Sequence, residues 1–421
     1  MTTLMKCLAL LLLPLLAILS SGAQPTTQAA GEKVVLLMTF GPGDEVYERW
    51  GHNAIVIINP VTKEQTAYHY GVFDFDQPNF IGRFILGRML YAMGIYPAEF
   101  VDAWIQDYIA NDRDVWMQKL NLTQPQINRL QAFLEENYKK ENRNYLYEYY
   151  RANCSTKVRD ALDYATAGQL QQQWGQVWTD SSYRRLTRIG SADFPFVYTG
   201  LSFVLSSNVD RPITLWDKAF VPMLLREQLS HLEINGAPFV SLEKQLHTSK
   251  HLQLVPQPPQ WIRYYLGIGL AIGGTMLWCG FRFSRSKWSD RVMLLMGMAW
   301  SFLAGFGGLF LLFAWFCTDH ISAHANQNLL LFSPLSMGMF VLLPLAVKGR
   351  PKGKWALPLA RILLLLAVLS LVVKIGPVPR QWNWEMIALA LPAHLGLMLA
   401  LTPGRKFDDS RPRTAESVVT A

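Results

Sequence analysis

The sequence predicts an α+β external domain followed by an all-α bundle of five transmembrane helices. Three observations predict it. The chain opens with an apolar run that ends in small residues. Strand-like segments and then helical periodicity fill the stretch up to about residue 260, and long apolar runs separated by polar loops follow. With 51% hydrophobic residues and a mean hydropathy of +0.13, the 421-residue chain is too apolar for an ordinary soluble protein. The excess lies at its C-terminal end.

Residues 1–23 read as a signal peptide. Lys6 precedes an apolar core from Cys7 to Ser20, and Ser21 and Ala23 occupy the −3 and −1 positions of a cleavage site after Ala23. The alternative is an uncleaved anchor. Cys7 lies inside the apolar core, so it does not read as a lipidation site. Small polar residues from Gln24 to Gly31 form a tether. Residues 24–260 then form the external domain, large enough for its own core.

In that domain "KVVLLMTF" reads as a buried strand, "GPGDE" as a loop and "HNAIVIINP" as a second strand. "NPVTKE" supplies turn residues, and "QTAYHYGVFDF" returns as the other arm of a hairpin. Helical pattern is expected to dominate from Pro97 to about Asn142. There Thr123 can cap, Pro125 suits a first turn, and Ile127, Leu130, Phe133 and Leu134 line one face. A further helix is predicted to begin near Asn153 or Cys154, with Val158, Ala161, Leu162 and Ala165 inward.

Beyond the proline-rich "VPQPPQWIRYY", five apolar runs are long enough to cross a hydrocarbon core of roughly 30 Å. They cover about 263–281, 292–316, 328–347, 355–373 and 386–402. These lie in a membrane domain, 261–403, and residues 404–421 form a tail. The loops "RFSRSKWSDR" and "KGRPKGK" and the tail are basic, whereas "CTDHISAHANQN" and "KIGPVPRQWNWE" are much less so. The positive-inside rule puts the basic loops and tail in the cytoplasm and residues 24–260 outside, in agreement with the signal peptide. The sequence thus reads as a multi-pass bacterial inner-membrane protein with a periplasmic domain. Many of the charges behind the net +8 are topology determinants, so no nucleic-acid partner is needed to explain them.

Cys154 is the only cysteine between the signal sequence and the membrane domain. An unpaired cysteine in an exported domain implies an intermolecular bridge, a reactive thiol or an accident of composition. At a helix start, peptide N–H groups and the positive end of the dipole stabilise a thiolate, and Lys157 and Arg159 add charge nearby. A small buried hydrophobe is the competing reading. A thiolate nucleophile wants an imidazole to exchange its proton with. The external histidines are His52, His69, His231, His247 and His251. His52 has the parity of Ala54, Val56 and Ile58. If residue 58 pairs with 65, then 52 falls opposite 71 and His69 joins the same face; a one-residue slip reverses this. In the first case His69 can orient His52 as a third catalytic residue.

A histidine on a strand, a polar residue on the next strand and "NC" at a later helix start resemble the permuted papain-like enzymes, to which lecithin retinol acyltransferase belongs. More closely, "WGHNAIVI", "YHYGVFDFDQPNFIGRFILGRMLYAMG" and "NYLYEYYRANCSTKVRDAL" resemble the Lnb-type lipoprotein N-acyltransferases of Bacteroides and relatives. The resemblance continues through "DRPITLWDKAFVPMLL" and "DHISAHANQNLLLFSPL", so it covers most of the chain. His69 departs from the family pattern, which more often has asparagine there. The resemblance implies a permuted papain-like domain. It also implies acyl transfer from a phospholipid donor, through a cysteine thioester, to the α-amine of a diacylated lipoprotein. The carried-over catalytic residues are Cys154, His52 and His69, with no cofactor.

Other residues carry weaker signals. Asn53 and Asn153 flank the proposed pair and are assigned to substrate binding. Arg83 and Arg88 can face phospholipid headgroups or simply be a basic surface. His320 and His324, at i and i+4, suggest a metal pair only superficially. With Asn326 and Asn328 they read instead as a polar membrane-edge cluster near the substrate, and no metal is expected. Arg361 can snorkel, which leaves His394 as an unexplained ionisable group within an apolar run. "NLT" and "NCS" match glycosylation acceptors but are discounted in a bacterial-looking chain. Two other functions remain open: a membrane-anchored cysteine peptidase or amidase acting on cell-wall peptides, and a non-catalytic lipid- or lipoprotein-binding scaffold.

Overall fold

The computed structural model describes residues 31–74, 76–250, 254–282, 286–376 and 380–402. The expected signal peptide, nearly all of the tether, His251, Arg285 and the basic tail lie outside the described residues.

A seven-stranded antiparallel sheet organises the external domain. Its strands are β1 (Val34–Phe40), β2 (His52–Ile58), β3 (Gln65–Val72), β4 (Leu90–Pro97), β5 (Val115–Leu120), β6 (Asn144–Leu146) and β7 (Val240–His247). The spatial order is β7-β5-β1-β2-β3-β4-β6. The β2–β3 register has Ile58 opposite Gln65 and Ala54 opposite His69. Turn chemistry fixes it: Asn59 N–H donates to the Glu64 carbonyl at 2.8 Å, and Asn59 Oδ1 accepts from Val61 N–H at 3.0 Å. His69 therefore shares a sheet face with His52.

Each face of the sheet carries its own core. Helix α1 (Phe80–Leu86) precedes β4, and α2 (Ala98–Ala110) follows it. Helix α2 covers Met38, Phe40, Ala54, Val56 and Ala67 with Val101, Trp104, Ile105 and Tyr108. On the opposite face α3 (Gln124–Tyr138) and α4 (Cys154–Ala165) bury Ile127, Leu130, Leu134, Val158, Ala161 and Leu162 against Val35, Leu37, Ile55 and Ile57. Thr123 caps α3, its N–H donating to Gln126 Oε1 at 2.8 Å. The expected helical stretch from Pro97 to Asn142 needs correction. Strand β5 interrupts it and lies between β1 and the edge strand β7. "VWMQKL" is too short for periodicity to separate strand from helix; the open edge of β1 decides it.

The membrane part contains α5 (Ile262–Phe281), α6 (Lys287–Phe316), α7 (Ser336–Val347), α8 (Ala356–Val372) and α9 (Trp384–Ala400), which share one core. Ile262–Phe281, Lys287–Phe316 and Pro351–Val372 are long and apolar enough to cross a membrane. α7 and α9 are shorter, at 12 and 17 residues. The run expected over 328–347 divides, because Gln327–Leu330 is a 3₁₀ turn and α7 starts only at Ser336. Gly269 and Gly273 of α5 bring its backbone against α9, where an added Cβ would strike main-chain atoms of residues 388–393. His394 is a packed helix-contact residue, with Nε2 bonded to the Leu331 carbonyl at 2.8 Å.

The external domain is clamped to these helices. Arg188 pairs with Glu385 at 2.6 Å, which also accepts from the Tyr198 hydroxyl at 2.9 Å. Arg184 pairs with Asp210 at 2.6 Å, and Asp210 receives the Trp382 N–H at 3.1 Å. Ser206 N–H donates to the Ser322 carbonyl at 2.7 Å. Buried charge-assisted bonds of this kind fix an orientation as well as a contact.

Candidate active site

Cys154 and the histidines come from opposite faces of the sheet and meet at its end. Asn153 caps α4: its Oδ1 accepts from Thr156 N–H at 2.9 Å, and its Nδ2 donates to the Phe220 carbonyl at 2.8 Å. Ser155 Oγ donates to the Ala219 carbonyl at 2.7 Å. Arg159 donates to the Trp216 carbonyl at 2.7 Å and stacks on that indole. The segment "DRPITLWDKAFVPMLL" thus holds the first two turns of α4 in place. Asn153 is fully committed to this bracing.

Gly71 lies where the two faces meet. Its φ is +99°, in the left-handed region, and the β3–β4 register shifts between Tyr70 and Val72. A Cβ at Gly71 would sit 3.5 Å from Cys154 Cβ and 4.0 Å from His52 Cε1. Any larger side chain there would stand between thiol and imidazole. Gly94 plays a similar part for His69, since a Cβ there would lie 2.8 Å from His69 Nε2. Sequence reasoning missed both; glycine inside a strand pattern was the available signal.

His52 Nε2 and His69 Nδ1 are 3.3 Å apart. An aromatic box fixes both rings. His52 lies parallel to Tyr108, with centroids 6.5 Å apart, and His69 stacks on Tyr96 at 5.1 Å. Trp104 sits edge-on to His52. Of the other described external histidines, His231 bonds the Glu227 carbonyl at 2.8 Å, and His247 bonds Asp112 at 2.9 Å. Neither belongs to this cluster.

Burial sets the resting protonation. It pushes the Cys154 thiol up to about 11, against the pull of the Asn53, Ser155 and Cys154 peptide N–H groups and the Arg113 cation. Burial, then His69 and Arg113, hold His52 well below the usual histidine range. His69 is lowered to about 4 by burial. This corrects the expectation of a thiolate favoured by the helix start with Lys157 and Arg159. Desolvation wins, and the nearby cation that counts is Arg113, which the sequence did not single out. It is held by Glu48 at 2.8 Å and by the Gly41 carbonyl at 2.9 and 3.0 Å. The three peptide N–H groups around the sulfur are also suited to a developing oxyanion.

Asn53 contributes through its backbone. Its side chain is buried, with Nδ2 on Thr39 Oγ1 at 2.7 Å. Arg83 Nε donates to the Pro78 carbonyl at 3.3 Å, and Arg88 pairs with Asp319 at 2.6 Å. His320 Nε2 bonds the Phe84 carbonyl at 3.0 Å, and His324 Nε2 the Thr318 carbonyl at 2.9 Å. Asn326 and Asn328 donate to the Val204 and Phe203 carbonyls, each at 2.8 Å. These six residues join the two parts of the chain or brace their own loops and do not converge on Cys154. A row of phenols bridges the distance: half-buried Tyr145 and Tyr147 lie close enough to feel the Cys154 charge, and the more exposed Tyr149 stacks on His320 at 6.2 Å.

Compared with known families, residues 22–188 match the Lnb N-terminal periplasmic domain and residues 270–401 match the Lnb transmembrane domain. The chain belongs to the Lnb family. No curated protein and no solved structure matches it. As an Lnb-family chain with membrane-crossing helices, it is a multi-pass inner-membrane protein with its N-terminal domain in the periplasm. The Lnb periplasmic match includes Cys154, both histidines and Gly71, and it ends at Arg188, the residue paired with α9.

Proposed function

We propose that this protein is a lipoprotein N-acyltransferase that moves a fatty acyl chain from a phospholipid to the α-amine of a diacylated lipoprotein's N-terminal cysteine. The observation that carries the reading is the meeting of Cys154 with the His52–His69 pair across Gly71, in an Lnb-family chain. Strand histidines followed by a helix-start cysteine also support a permuted papain-like domain. Five crossings rest on the match to the Lnb transmembrane domain together with α5–α9, three of which are long enough by themselves.

In this scheme His52 carries its resting proton on Nε2, facing His69 Nδ1 at 3.3 Å, which leaves His52 Nδ1 as the base. It takes the Cys154 proton as Sγ forms a bond to a phospholipid ester carbonyl carbon. The Asn53, Cys154 and Ser155 peptide N–H groups stabilise the tetrahedral oxyanion. Collapse breaks the ester C–O bond, and the proton passes from His52 to the departing lysophospholipid hydroxyl. The lipoprotein amine then attacks the thioester, His52 accepts its proton, and Cys154 leaves as the thiol. Clamping the site to membrane helices confines it near both lipid-anchored reactants.

The test follows both half-reactions. Protein incubated with radiolabelled phospholipid should carry a hydroxylamine-labile acyl group that is absent in Cys154→Ala. Mass spectrometry of lipoproteins from cells depleted of their own N-acyltransferase should show a gain of one acyl chain on the terminal cysteine. Lipoproteins that stay diacylated while purified protein cleaves cell-wall peptides would establish the peptidase reading instead.

A further inference from the structure

Helix α1 (Phe80–Leu86) is short, has no acidic residue and carries three large apolar side chains that the protein leaves uncovered. Ile81 is 72% exposed, Phe84 50% and Ile85 47%. The helix is bracketed by backbone turns, with Asn79 at φ +57° and Gly87 at φ +73°. Such a cluster on a helix fixed at its end is a surface in search of an apolar environment.

Its anchorage says which one. The C-terminal end of α1 is fastened to the loop that leaves α6, the longest membrane-crossing helix. Asp319 N–H donates to the Leu86 carbonyl at 2.8 Å, His320 Nε2 bonds the Phe84 carbonyl, and Asp319 pairs with Arg88. Helix α6 ends at Phe316, which is 71% exposed and lies three residues before Asp319. The uncovered side chains of α1 are therefore held beside the loop at the external end of a spanning helix. Arg83, on the helix between Ile81 and Phe84, has no carboxylate partner among the described residues and suits a lipid phosphate, whereas Arg88 is engaged by Asp319.

We infer that α1 is an interfacial anchor whose Ile81, Phe84 and Ile85 side chains insert into the outer leaflet of the bilayer. The occupant of this face is lipid. Apolar side chains on a short helix with basic flanks bind at the headgroup–acyl boundary, and the hydrogen bonds from Asp319 and His320 remove the entropy cost of locating it there. The Tyr147–Tyr149–His320 row lies beside the same anchorage, so the helix also fixes the bilayer surface relative to the approach to Cys154. The inference needs only the membrane domain and is independent of the chemistry at Cys154.

The test uses the full chain in nanodiscs of phosphatidylethanolamine and phosphatidylglycerol, with Cys7, Cys154, Cys279 and Cys317 replaced by serine. Ile81→Cys and Ile85→Cys are labelled separately with an environment-sensitive nitrobenzoxadiazole dye. Val61→Cys is the control; it is similarly exposed but sits on the β2–β3 turn, at the opposite end of those strands. Labels at residues 81 and 85 should emit to the blue of the control and be quenched by phospholipids with doxyl groups on their acyl chains. Quenching by aqueous iodide equal to that at residue 61 would overturn the inference. So would blue-shifted emission that doxyl lipids leave unquenched, since protein would then cover the helix.

Discussion

Raising the pH in the absence of lipid perturbs Cys154 in a way that separates two resting states. With the thiol at about 11, about one molecule in ten thousand carries a thiolate at pH 7, which places that state about 5 kcal/mol uphill. His52, held below its ordinary range, cannot take the proton at rest to make a stable ion pair. The rate of alkylation of Cys154 by iodoacetamide should therefore climb about tenfold per pH unit from 7 to 10, with no plateau. The assay is peptide-resolved mass spectrometry in a Cys279→Ala/Cys317→Ala background, kept within the range where the fold is intact. A preformed thiolate–imidazolium pair would instead give a rate already level by pH 7. That result would refute the argument that desolvation outweighs the three peptide N–H groups and Arg113.

Three further outcomes are expected. Gly71→Val puts a branched side chain between Cys154 and His52 at φ +99°. It should abolish thioester formation while lowering stability by only about 1–2 kcal/mol, read by acyl labelling and thermal unfolding. Glu385→Ala leaves Arg188 buried without its carboxylate and should cost about 3–5 kcal/mol; Arg188→Met/Glu385→Leu should recover most of it. The unfolded chain takes up protons that the half-buried, desolvated His52 and His69 refuse. Their contribution to stability is thus full above about pH 6.5 and lost as the pH falls toward about 4. Melting temperature against pH should show that loss diminished in His69→Asn.

Local patterns in the sequence carried the elements whose signals are local. Thr123 and Pro125 mark the start of α3 without reference to anything distant, because a cap satisfies neighbouring N–H groups. Cys154 at a helix start was legible for the same reason, and the long apolar runs announce membrane segments by composition alone. Alternation fixed the parity of His52, but whether His69 joined it rested on one register, which the Asn59 turn resolves only once the hairpin is formed.

Tertiary structure decided everything that depends on which surfaces meet. Strand β5 exists because β1 presents an unpaired edge, and six residues of mixed character become a strand there. The resting charge of Cys154 follows from burial between α4 and the strand ends, which no neighbouring residue in the chain reveals; Lys157 and Arg159 are close in sequence, yet Arg113 is the cation that acts. Asn326 and Asn328 look like ligand groups in the sequence but hold the backbone of residues 203–204. The physical reason is common to all these cases. Hydrogen-bond capacity and apolar periodicity belong to a residue and its neighbours, whereas desolvation and pairing belong to whatever the fold packs against them.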